Sequence, residues 1–187
     1  FFNRQFELMA AKHLDLGYVN PPIYLSVGTE HIPVCIQQAI KSIMNIKDVA
    51  LFPQHRCHSY YLSFNGDPTR LAHELCGLPT GCNKGMAGSA SLSNKETANV
   101  FGHSGLLGDQ VPIAAGYAQA SNKPTICIMG DAAAEEDYAL AALGFSETKD
   151  APILFICEDN DLSILTEKSI RRSWSIVDVA HGFGVDA

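Results

Sequence analysis

An α/β fold with a parallel sheet and helices on both of its faces is what this sequence predicts, and three stretches predict it. PTICIMGD (124–131) is a continuous apolar run. The alanine-rich stretch from Ala133 to Lys149 has helical periodicity, and PILFICEDN (152–160) is a second apolar run. Apolar runs without polar alternation are the mark of strands covered on both faces. Strand, helix, strand at this spacing is a βαβ unit, and the right-handed crossover rule makes its two strands parallel neighbours.

The remaining elements follow along the chain. Phe2, Phe6, Met9 and His13 fall at helical spacing with Gly17 as a stop, which predicts a first helix. After the Pro-containing loop VNPPIYLSVG, a second helix opens at Thr29 and Glu30 and runs to about Met44, with Pro33 in its first turn. Asp48 to Phe52 reads as a short buried strand. Pro68 to Gly77 reads as a helix with a C-terminal glycine. The stretch TGCNKGMAGSASLSNKETANVFGHSGLLGD has little periodicity and many small residues. Long irregular segments of this kind are usually functional, so it is expected to lie against a ligand or a neighbouring subunit. VPIAAGYAQASN is a helix with Pro112 near its start. On the helix after Ala133, Tyr138, Ala141, Ala142 and Phe145 form one stripe.

Bulk properties narrow the function. The chain has 187 residues, 47% of them hydrophobic, which suits a single domain, 1–187, with one sizeable core. The formal net charge is −7, so a nucleic-acid footprint is not expected. No apolar run approaches the ~20 residues of a membrane span, and the charged opening FFNRQFELMAAKHLDLG is unlike a signal peptide. A cytoplasmic or organelle-matrix enzyme is the simplest expectation. The six cysteines include no CxxC pair, and Cys127 and Cys157 sit inside apolar runs, so reduced, structural thiols are expected. Cys57, with His55 and His58, lacks the paired spacing of structural zinc.

Three common enzyme classes are set aside on motif grounds. A dinucleotide fold needs G-x-G-x-x-G after a strand, and Gly81, Gly85 and Gly88 have the wrong spacing and context. No Lys-Ser/Thr pair follows a glycine loop as in phosphate-loop NTPases. GHSGL is not G-x-S-x-G.

The two apolar runs both end in short oxygen-bearing side chains, Asp131 and Asn160, which stand 29 positions apart. Ligands of open parallel sheets gather beyond the carboxyl ends of the strands. A carboxylate, an amide oxygen and a loop carbonyl there make a half-shell for a hard divalent cation such as Mg²⁺, whose remaining positions phosphate oxygens commonly fill. Ala132, Ala133 and Ala134 would let a diphosphate approach the main chain, and the helix expected to open after Asp131 would aim its free N–H groups at it. Glu135, Glu136 and Asp137 read as turned away.

Gly130-Asp131-Ala132, followed by Glu158-Asp159-Asn160, resembles the thiamine-diphosphate motif that begins Gly-Asp-Gly and ends in paired asparagines. FELMAAKHLDLG, YLSVGTEHIPV, FPQHRCHSYYLSFNG, LAHELCGLPTGCNKGMAGSASL, FGHSGLLGDQVPIAAGYAQA and APILFICEDND together resemble, in order and spacing, the alpha subunit of the decarboxylating component of 2-oxo acid dehydrogenases of the pyruvate, branched-chain and acetoin types. The resemblance implies a thiamine-diphosphate-binding (transketolase-like) fold, with thiamine diphosphate and Mg²⁺ as cofactors. It implies that Asp131, Asn160 and the Leu162 carbonyl bind the metal. Arg56 would bind the diphosphate, a task suited to a planar guanidinium. His55 takes a tyrosine's place beside it, and Gly130, Ala132 and Ala133 line the cofactor. His58 matches a catalytic histidine near the active-site mouth, where it could hydrogen-bond the diphosphate or reaction intermediates. Gly105, Leu106 and Leu107 match the segment that holds the aminopyrimidine, with Leu107 as the wedge under the bent cofactor.

The resemblance further implies a beta subunit that supplies the activating glutamate, in an α₂β₂ heterotetramer. It also implies a small 2-oxo acid as substrate and a lipoyl-bearing acyltransferase as downstream partner. Departures mark a divergent branch: Ala132 for the third motif glycine, Asp159 for the first asparagine, Ser91 for a histidine, and Ala141 for a glutamate. The stretch after Thr166 follows the family loosely, and a C-terminal part of the family domain is expected to be missing after GVDA. A degenerate scaffold subunit, and a synthase passing the acyl unit to an aldehyde or ketone, are the competing expectations.

Overall fold

The computed structural model describes residues 1–186. Its contacts divide the chain into two compact units, Phe1–Gly105 and a second beginning at Leu106.

In the first unit, helix α1 (Phe2–Asp15) is followed by α2 (His31–Ile43), a 3₁₀ turn at Ile46–Asp48, β1 (Ala50–Phe52), α3 (His58–Ser63), α4 (Pro68–Leu75) and β2 (Asn99–Val100). Strands β1 and β2 pair in parallel, Leu51 opposite Val100. The expected strand from Asp48 therefore begins two residues later, because Asn45 caps the 3₁₀ turn by accepting the Lys47 N–H at 3.0 Å. Asp67 caps α4 by accepting from the N–H groups of Thr69 and Arg70, with Pro68 in the first turn where its missing donor costs nothing. Phe6, Ala10, Val19, Tyr61, Leu71, Leu75 and Leu92 form the core of this unit. Helix α1 buries Asn3, Phe6, Glu7 and Ala10. The predicted stripe is thus turned: Phe2 and Met9 are exposed, and a carboxylate takes an interior position.

The second unit contains α5 (Gln110–Ser121), β3 (Thr125–Gly130), a 3₁₀ turn at Ala133–Glu135, α6 (Asp137–Thr148), β4 (Ile153–Glu158), the two-residue strands β5 (Leu162–Ser163) and β6 (Thr166–Glu167), α7 (Lys168–Arg171) and α8 (Ile176–Phe183). This is the expected βαβ unit: β3 and β4 are parallel, in register from Thr125↔Ile153 to Gly130↔Glu158. Residues Thr125 to Met129 are buried, so both faces of β3 are covered, as a continuous apolar run requires. Strand β4 is less enclosed than its sequence suggests, with Leu154 56% exposed. Helix α6 buries Ala139, Ala142, Leu143 and Ser146, one position round from the predicted stripe, and Phe145 faces outward. The α/β class with parallel strands and packed helices stands as predicted. Among the described residues, no helix is long and apolar enough to cross a membrane.

Candidate functional site

In the first unit, the chain leaves β1 through Pro53 and Gln54 and delivers His55, Arg56, Cys57 and His58 in succession. Arg56 is partly buried, and its Nε is enclosed without a hydrogen-bond partner. An enclosed guanidinium nitrogen without an acceptor costs desolvation energy, which an anion or a water would relieve. His55 packs edge-on to Tyr24 and to His103. Burial, reinforced by the Arg56 charge and by His103, lowers its pKa to about 4, so the ring is neutral at physiological pH.

His58 lies fully inside the unit, at the start of α3, with both ring nitrogens engaged. Its Nδ1 is 3.0 Å from Glu7 Oε2, and its Nε2 is 2.7 Å from Ser89 Oγ. Glu7 also accepts from the Ser26 hydroxyl, which lies 2.6 Å from that of Ser59, and Ser89 Oγ accepts the Tyr24 N–H at 2.8 Å. With Nδ1–H donated to Glu7, a neutral ring leaves Nε2 to accept from Ser89, and every group in the chain of bonds is satisfied. Ser89 in turn borders a cavity of about 260 Å³, whose walls include Tyr24, Glu74 and Met86. Sequence reasoning missed Glu7 and Ser89 here, because nothing in their spacing links residues 51 and 31 positions from His58.

The long irregular segment is ordered around one carboxylate. Glu74 of α4 is 1% exposed and accepts the N–H groups of Asn83 (2.7 Å), Gly85 (2.9 Å) and Ala87 (2.7 Å). Gly85 has φ +75°, and a Cβ there would meet the Gly77 backbone at 2.5 Å, so only glycine fits the bend. At the end of this unit, Gly105 is exposed with φ +100° and donates its N–H to His103 Nδ1 at 2.8 Å.

In the second unit, Leu106 and Leu107 are 62% and 38% exposed, and the Leu107 carbonyl accepts the Tyr138 hydroxyl. Gly130 closes β3 opposite Glu158, and Asp131 follows, buried, at the carboxyl end of the strand. The backbone after it differs from the expected helix start. Ala133–Glu135 form a 3₁₀ turn, Glu136 is extended, and α6 opens only at Asp137. The Glu135 and Glu136 N–H groups are spent on the Ala132 and Ala133 carbonyls. Glu135, expected to turn away, is instead drawn into ion pairs.

Those pairs form a charged cluster that motif reading did not anticipate. Arg171 donates to Asp131 and, at 2.8 Å, to Glu135, while Arg172 lies 3.1 Å from Glu135 and stacks over Trp174 at 4.6 Å. Lys168 pairs with Asp159 at 2.8 Å and with Asp161 at 3.1 Å. The Lys168 ammonium, with the Asp161 N–H and Arg172, holds the Asp159 carboxyl below its usual range. Asp159, the departure that would add negative charge beside a metal, is thereby neutralised locally. Asn160 is exposed and its Oδ1 accepts the Leu162 N–H at 3.2 Å. A cavity of about 460 Å³ opens against Cys157, Asp159, Lys168, Arg172 and Trp174. Burial raises the Cys157 thiol to about 11, with the charges of Asp159 and Asp131 adding to the effect, and burial alone pushes Cys127 up. All six cysteines are free.

The parallel β3–α6–β4 unit, with a buried aspartate at the carboxyl end of β3, is an α/β architecture of the class whose ligands gather beyond the strand ends. The chain belongs to the dehydrogenase E1 component family, whose model matches residues 21–187. It is similar to the pyruvate dehydrogenase E1 component subunit alpha of Zymomonas mobilis subsp. mobilis, with 29% identity over 112 residues, 60% of this chain and 30% of that one. It is 33% identical over 92 residues to the mitochondrial subunit alpha of Dictyostelium discoideum, covering 49% of this chain and 22% of that protein. The mitochondrial subunit alpha-1 of Arabidopsis thaliana is 31% identical over 110 residues, covering 59% and 27%. The matched stretch thus spans about a third or less of these relatives' length.

Proposed function

We propose that the chain is an alpha-type subunit of a thiamine-diphosphate-dependent enzyme that decarboxylates a 2-oxo acid and passes the acyl group to a lipoyl group or similar acceptor. The observation that carries this reading is Asp131: a buried carboxylate at the carboxyl end of β3, already matched to a cation, with β4 ending level with it. The residues suit both parts of the group. Arg56 has a buried donor free for a phosphate oxygen, and Asp131 is held where charge must be balanced.

In this reading Asp131, Asn160 and the Leu162 carbonyl hold Mg²⁺, and Arg56 grips the diphosphate as a fork. Small Gly130, Ala132 and Ala133 line the cofactor beside Asp131, where their size allows close backbone approach, and neutral His55 stands beside Arg56. Gly105, Leu106 and Leu107 receive the aminopyrimidine. His58, fully enclosed, acts by positioning Ser89 and the Tyr24 backbone. Thiamine diphosphate, when bound, supplies the carbanion and the electron sink for decarboxylation. A beta subunit, in an α₂β₂ assembly, provides the glutamate that activates it.

Calorimetric titration of thiamine diphosphate, with and without Mg²⁺, into the chain and its Asp131→Ala variant tests the reading, repeated with any co-purifying partner present. Metal-dependent binding that disappears in the variant is the expected result. No binding even with the partner present would leave a family member that assembles without turning over.

A further inference from the structure

Asp131 has a resident cation, and that cation comes from a short segment of the same unit. Arg171 Nη2 donates to Asp131 Oδ2 and Nη1 to Glu135 Oε1, the Arg171 and Asp131 side chains being 12% and 4% exposed. A carboxylate this enclosed must be compensated by a cation or by hydrogen bonds, and here Arg171 does it. We infer that Arg171 is the counter-ion of Asp131 in the metal-free chain and that a divalent cation binds only by displacing it, so that Arg171 governs metal affinity. The inference rests on Asp131 being a metal ligand as proposed above.

Competition follows from geometry. Mg²⁺ demands carboxylate oxygen at about 2.1 Å in a near-ideal octahedron. A guanidinium nitrogen already within hydrogen-bond distance of Oδ2 occupies the approach to that oxygen, and a second cation on the same enclosed carboxylate is repelled by it. Lys168 is no substitute, since it is held between Asp159 and Asp161.

Displacement is feasible for three reasons. Arg172, with its side chain 2% exposed, stays within 3.1 Å of Glu135, so that carboxylate keeps a partner when Arg171 leaves. The Nε of Arg171 has no hydrogen bond to lose. Helix α7 is four residues long and buries none of them, and its neighbours β5 and β6 have two residues each. Segments with few buried contacts open at low cost. A site that must first open binds with an affinity reduced by the fraction of time it is open.

The test is titration of Mn²⁺, followed by the electron paramagnetic resonance of the free ion, into the full chain with thiamine diphosphate present. The variants are Arg171→Gln, Arg171→Met, Arg171→Lys and Asp131→Ala, each checked for a wild-type circular-dichroism spectrum. Tighter Mn²⁺ binding, by tenfold or more, in whichever of the Gln and Met variants folds, with the Lys variant near wild type, is the expected result. Equal or weaker binding in those variants, with loss in Asp131→Ala, would overturn the counter-ion role while leaving Asp131 a metal ligand. No Mn²⁺ binding by any variant at millimolar concentration would overturn both.

Discussion

At the scale of single residues, this chain spends its buried carboxylates on organising loops. Glu74 gathers three backbone N–H groups of the segment from Asn83 to Ala87. Its two oxygens accept all three, so no neutral side chain of the same shape can replace it: in glutamine one oxygen becomes a donor facing another donor. Glu74→Ala leaves three enclosed N–H groups unmet, and we expect a loss of about 3–5 kcal/mol in urea unfolding. Glu74→Gln should lose less, about 1–3 kcal/mol. A Glu74→Ala variant within 1 kcal/mol of the parent, a margin typical of exposed pairs, would mean the loop is held by other contacts. None of this was legible in the sequence. The carboxylate and its acceptor loop carry no shared motif, and the segment's wealth of small residues spoke only of close approach, here to the chain's own backbone.

At the scale of elements, the class and order of strands and helices were legible because continuous apolar runs and caps are local signals. PTICIMG and PILFICE declared β3 and β4, and Pro68 with the terminal Gly77 declared α4, whose cap Asp67 the structure added. The faces of α1 and α6 were misjudged by about one position. Alanine and phenylalanine spacing marks a helical stripe, but tertiary partners choose which side of it is buried. In α1 that choice was made by Glu7, which no hydrophobic pattern would send inward. The start of α2 shows a similar effect on capping. Glu30 does not cap its own helix; its carboxylate accepts from Arg4 and from the Gly28 N–H at 2.9 Å, which tie the loop to α1. The Arg4 guanidinium is the main cause that holds the Glu30 pKa at about 2, below its unfolded value near 4.5. A depressed carboxyl pKa stabilises the fold above the unfolded value, and that stability is lost as pH falls through the folded one. Glu30→Gln should therefore cost about 1 kcal/mol near pH 7, with Arg4 partly exposed. The difference from the parent should shrink between pH 4.5 and about 2, as unfolding curves across that range would show. A pH-independent difference would assign the loss to packing instead of charge.

At the scale of the whole molecule, the sequence marked candidate ligands but not the charges that surround them. Asp131 and Asn160 were marked by their positions after two apolar runs, and Arg56 by its place in Gln-His-Arg-Cys-His. The basic residues that balance the acids were not, because Lys168, Arg171 and Arg172 lie in the stretch that follows its family loosely. Charge compensation depends on distance in space, and the ion pair of Asp131 with Arg171 spans 40 positions. This balance bears on how the cofactor should affect stability. A ligand that binds only the folded chain stabilises it by RT ln(1 + [L]/Kd), about 2.7 kcal/mol at a hundred times Kd. For a chain of 187 residues this corresponds to a rise in Tm of roughly 5–10 °C, at about 2–4 °C per kcal/mol. We expect thiamine diphosphate with Mg²⁺ to give such a rise in a thermal melt and EDTA to abolish it. Arg56→Ala and Asp131→Ala should each abolish it too, one by removing the guanidinium with its unmet donor and the other the buried carboxylate proposed to hold the metal. A rise that survives EDTA and persists in Asp131→Ala would show the diphosphate held by arginine alone.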